Sequence, residues 1–97
     1  MEKRQCKRVK TRQIARICGK LGVINDVSDI GLQVSTAFSP QKRMIDITFE
    51  ANGQVIKLMG IVQWVKWRKQ IKTLNEMGIM VKEAPPEFMD FVREITS

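Results

Sequence analysis

A mainly β fold, a six-stranded antiparallel β-barrel with a C-terminal α-helix and a flexible basic N-terminal arm, is what this chain of 97 residues predicts. Three observations lead there. Short runs of alternating apolar and polar residues recur along the chain. The cleanest is 44–50, where Ile45, Ile47 and Phe49 point one way and Asp46, Thr48 and Glu50 the other. Asn52-Gly53 follows at once and is the strongest short hairpin signal in the sequence. The period changes after Pro85-Pro86-Glu87, beyond which Phe88, Phe91, Val92 and Ile95 recur at helical spacing. Several short strands with one terminal helix call for closure, because a closed barrel leaves no exposed edge.

In chain order, residues 1–10 show no useful hydrophobic period and are expected to form the mobile arm. Residues 11–97 make a single domain. A first strand is expected over 12–18, ended by Gly19, a second over 21–27, and a third over 31–36 with Leu32 and Val34 on one face. Ser39-Pro40-Gln41-Lys42 reads as a loop. After the strand at 44–50 and the Asn52-Gly53 turn, a long return strand spans 54–67. Alternation places Ile56, Leu58, Val62 and Trp64 on one face, so Trp64 is expected in the core. A last strand over 75–82 groups Met77, Ile79 and Val81. The helix at 86–96 starts with proline where no N–H is needed and carries Glu87 near the positive end of its dipole. Its apolar stripe suits a cap on an open barrel end; a partner-docking helix is the alternative.

Composition removes several classes. The chain is 43% hydrophobic, ordinary for a globular protein, and has no apolar run near the ~18 residues of a membrane helix. The basic N-terminus lacks the apolar block of an export signal, which gives the expectation of a cytoplasmic protein with its two cysteines reduced. Two cysteines and no histidine are too few for an ordinary zinc site. Without histidine the commonest general base is missing, and Ser28 beside Asp29 makes no triad. A non-enzymatic role without metal or cofactor is expected. The net charge of +7 is concentrated in the first 20 residues, where Lys3, Arg4, Lys7, Arg8, Lys10, Arg12, Arg16 and Lys20 stand against Glu2 alone. Such a balance suits nucleic acid, anionic lipid or a small polyanion.

Between the second and third strands lies Asp26-Val27-Ser28-Asp29-Ile30-Gly31. These are ordinary turn formers. They are also what a small pocket needs: backbone N–H groups at a tight turn, beside a carboxylate able to accept from a guanine edge. Upstream stands Arg4-Gln5-Cys6-Lys7-Arg8, followed by Val9. Arginines recur every four residues from Arg4 to Arg16, which also fits the stripe of a basic helix.

Arg4-x-x-x-Arg8, then Asp26-x-Ser28-x-x-Gly31 after one intervening strand, resembles the two signatures of the PilZ family, bacterial receptors for cyclic di-GMP. The resemblance continues through Leu58-x-Gly60-x-Val62-x-Trp64, Gly78-Ile79 and the terminal helix, and so covers nearly the whole chain. It implies that Arg4 and Arg8 close over a ligand resting on the turn. It further implies that Asp26 accepts from guanine, that Ser28 adds a hydroxyl contact and that Gly31 allows close approach. Asp29 and Ile30 fall at variable positions. Lys3, just before the pair, implies by the family's pattern a stacked pair of ligands, with lysine where arginine would also stack. The output implied is an ordered arm presented to a separate effector protein of motility, exopolysaccharide or adhesion machinery. The alternatives are a nucleic-acid-binding small barrel and an adaptor that has lost its ligand. The first lacks tyrosine and exposed aromatics spaced for stacking; the second has no need of the intact motif residues.

Overall fold

In the computed structural model, which describes residues 8–67 and 74–96, the strands close as expected. The elements are β1 (Val9–Ile17), β2 (Lys20–Val27), β3 (Gly31–Thr36), β4 (Met44–Ala51), β5 (Gln54–Trp67), β6 (Asn75–Glu83) and α1 (Pro86–Thr96). They form a closed barrel in the order β1-β2-β3-β6-β5-β4, and every pairing is antiparallel. Residues 1–7, which hold Lys3, Arg4 and most of the expected arm, lie outside the described residues.

Turn chemistry sets the hairpins. Asn52 and Gly53 both take positive φ, 55° and 74°, the two-residue turn whose twist matches the flanking strands. A second such turn joins β1 to β2 at Cys18 (φ 55°) and Gly19 (φ 80°). Cys18 therefore belongs to a turn and not to the first strand, in contrast to the expectation. β1 also starts earlier than expected, so Val9 and Lys10 are barrel residues paired with Val27 and Asp26.

Inward faces fill the barrel. Ile17, Ile24, Val27, Leu32, Val34, Ile47 and Met77 are fully buried, with Ile45, Phe49, Ile56, Leu58 and Ile79 nearly so. Ile24 and Val27 both point inward although they stand three positions apart, an odd spacing that strict alternation would put on opposite faces. The β2–β3 register slips between Ile24 and Asp26, and this bulge absorbs the extra residue. Helix α1 sets Phe88, Phe91 and Val92 against the core, and Phe91 meets Phe49 edge-on with ring centroids 5.0 Å apart. Asn52 Nδ2 donates to Glu94 Oε1 (2.6 Å), tying the β4–β5 turn to the helix. The helix is thus a cap on the barrel. No helix among the described residues is long and apolar enough to cross a membrane.

Candidate functional site

The β1–β2 hairpin delivers the two motifs to one place. Its turn sits at Cys18-Gly19, and Val9 pairs with Val27 at the open end. Arg8, the residue before Val9, is thereby brought against Asp26. Its Nη1 donates to Asp26 Oδ1 at 2.5 Å, across 18 positions of sequence. The guanidinium is half open, with 56% of the Arg8 side chain exposed against 15% for Asp26. Asp26 is the more buried end of the pair, and Arg8, at the surface end, has donors beyond the one Asp26 uses.

Within Asp26–Gly31, Asp26 turns its carboxylate to Arg8, while Ser28 and Gly31 build the turn. Ser28 is buried, and its Oγ accepts from Gly31 N (3.1 Å) and Ile30 N (3.3 Å). Its own N–H donates to Gly31 O at 2.8 Å, so Ser28 and Gly31 lock the turn from both sides. The hydroxyl thus helps to build the loop that carries Asp26. Gly31 is required by a neighbour: a β-carbon there would stand 2.9 Å from Ile79 O on β6. The close approach it permits is between strands. Val81 N donates to Ile30 O (2.8 Å), fastening the same loop to β6. Asp29 and Ile30 are exposed at the tip.

The locking role predicts a division among these residues. Ser28→Ala should cost about 1–3 kcal/mol of stability, the price of leaving buried N–H groups unpaired. Asp29→Ala should be nearly neutral. Thermal unfolding of the two variants separates them.

Cross-strand register extends the site in a way that alternation in the sequence did not show. Lys10 pairs with Asp26, Asp26 with Gln33, Gln33 with Gly78, and Gly78 with Trp64. These five positions form one row across the outside of the barrel. Trp64 stands in that row, 45% exposed, and not in the core. The register of β5 against β6 slips between Val62 and Trp64, and the extra residue, Gln63, turns the indole outward. Gly78 is its seat, since a β-carbon there would collide with the indole ring. The clue in the sequence was Gly78 itself, a strand residue with no side chain to pack.

Beside this row is a polar cavity of about 320 Å³ lined by Lys10, Asn25, Asp26, Gln33, Ser35, Leu74 and Glu76. It lies at the small end of the ~300–1,000 Å³ range of ligand pockets, enough for part of a dinucleotide with the rest on the open face. Asn25 Nδ2 donates to Ser35 Oγ (2.6 Å) along one wall. Among the described residues, no three metal-ligating side chains gather. The Cys18 thiol is no activated nucleophile, because burial and the nearby Asp46 carboxylate push its pKa up. No protein-family model, curated protein or solved structure matches the chain.

Proposed function

We propose that this protein is a PilZ-type receptor for cyclic di-GMP. The observation that carries the proposal is the meeting of Arg8 and Asp26, each in its own motif, at one end of the β1–β2 hairpin. Cyclic di-GMP offers two phosphates and two guanines. A guanidinium fork binds a phosphate or the O6/N7 edge of guanine in bidentate fashion, and a carboxylate accepts from the N1–H and N2–H edge. The Arg8–Asp26 pair holds both groups ready, side by side, before ligand arrives. Trp64, exposed in the same row, offers a flat face to a base.

Arg4 and Lys3 complete the grip from the arm, and the cation at Lys3 offsets repulsion between the phosphates of two stacked ligands. Two cyclic di-GMP per chain are therefore expected. The closed arm presents a new surface to a separate effector, so binding acts as a switch with no reaction.

Trp64→Leu tests the placement. Base–aromatic stacking contributes about 1–3 kcal/mol per base, so the variant should bind cyclic di-GMP roughly tenfold or more weakly with its fold intact. Calorimetric titration checks this. Unchanged affinity would remove Trp64 from the site and confine the ligand to the hairpin side of the row.

A further inference from the structure

A second surface lies on the outside of the β1–β2 hairpin. Ile14 and Leu21 are 61% and 64% exposed there. Register places Ile14 beside Val23 and Arg16 beside Leu21, so the apolar side chains form one patch. Between them runs a groove of about 210 Å³, closed at its far wall by Ala37 and Leu74 and almost wholly apolar. Isolated apolar residues on a surface are ordinary; a contiguous groove of them marks a contact site.

The surroundings say what fits. Arg12 and Arg16 flank Ile14 on the outer face of β1, both exposed, whereas Lys20 pairs with the inward-facing Ile17 and sets its ammonium over the Phe38 ring. Among the described residues, neither Arg12 nor Arg16 is ion-paired with an acid. Across the β1–β4 ladder Arg16 faces the neutral Thr48. The rim thus carries two arginines without a salt bridge, with Asp46 and Glu50 on the outward face of the neighbouring β4, while the floor is apolar. Among the described residues, no aromatic side chain lines the groove, so these residues offer no stacking platform for nucleic acid. Its concave shape takes inserted side chains, whereas a lipid surface is met by projecting ones.

We propose that this groove docks an acidic, amphipathic segment of a partner protein. The segment's apolar side chains occupy the groove, and its carboxylates lie over Arg12 and Arg16. β1 and β2 are paired with each other here, so recognition runs through side chains. The surface needs no nucleotide and would stand if the cyclic di-GMP site were absent. It meets the polar cavity beside Asp26 only at Ser35 and Leu74.

Fluorescence anisotropy with the full chain and a fluorescein-labelled peptide of alternating leucine and glutamate tests this. Saturable binding is expected, weakened about tenfold or more when serine replaces the peptide's leucines. Ile14→Ser with Leu21→Ser should weaken it similarly; Leu21→Ser alone, a milder change at an exposed position, should give part of that loss. Arg12→Glu with Arg16→Glu should abolish binding. Equal affinity for the serine peptide, or no effect of the Ile14 and Leu21 changes, would overturn the proposal. So would displacement of the peptide by vesicles containing phosphatidylserine, or a dimer in sedimentation that Leu21→Ser dissociates.

Discussion

Arg8→Ala is expected to reduce cyclic di-GMP affinity by about 100-fold or more while barely changing the stability of the empty protein. Hydrogen bonds to charged groups contribute about 1.5–3 kcal/mol each, and a guanidinium fork loses two together. The structural cost is small for a different reason. Arg8 is more than half exposed, and its pairing with Asp26 is a surface ion pair, worth about 0–1 kcal/mol. Val9, next along, still enters β1 and pairs with Val27 without it. Calorimetry and thermal unfolding on the same preparation separate the two effects. A large fall in apo stability would make Arg8 a structural residue of the hairpin end, and its loss of binding would then carry no information about the ligand.

Phe88→Ala should give the opposite pattern. Phe88 has no exposed surface and anchors the first turn of α1 against the barrel. Truncating a buried phenylalanine costs about 3–5 kcal/mol, against a total of about 5–15 kcal/mol for a domain of this kind. At about 4–8 °C per kcal/mol, the unfolding midpoint should fall by more than about 10 °C. The helix starts where Phe88 N donates to Pro85 O (3.0 Å), so the ring and the first turn are placed together. Phe91 and Val92 follow on the same stripe, buried beside it. If Phe88→Ala unfolded no earlier than the unaltered chain, α1 would not be part of the core, and its apolar stripe would be open to a partner.

The barrel was legible because its signals are local. Alternation at 44–50 puts Ile45, Ile47 and Phe49 inside, as found, and Asn52-Gly53 makes the turn its residues allow. The helix was legible from Pro86 and the spacing of Phe88, Phe91 and Val92. What could not be read was register. A bulge shifts the outward set by one residue without leaving a composition signal, and two of the bulges fall beside the site. One lets Asp26 face outward between the buried Ile24 and Val27; the other turns Trp64 out of the core. The early start of β1 was hidden because Val9, Thr11 and Gln13 are only half-buried, so the strand lacks an apolar stripe at that end.

Candidate residues divide along the same line. Arg8 and Asp26 were identifiable from their motifs, and the structure brings them into contact. Ser28 and Gly31 were identifiable too, and among the described residues their hydrogen bonds and close contacts are with the turn and with Ile79. A motif fixes which residues matter without telling a loop-building hydroxyl from a ligand-binding one. Lys10 and Gln33 were not singled out, since only cross-strand pairing reveals that they share a row with Asp26. Lys3 and Arg4 lie outside the described residues.

Isothermal titration of the purified chain with cyclic di-GMP, with GTP and a single-stranded oligonucleotide as controls, bears most directly on the central claim. Saturable heat with cyclic di-GMP alone, approaching two ligands per chain and lost in Arg8→Ala and Asp26→Ala, is the predicted result. Absence of heat with cyclic di-GMP, or binding of the oligonucleotide that both variants leave unchanged, would contradict it.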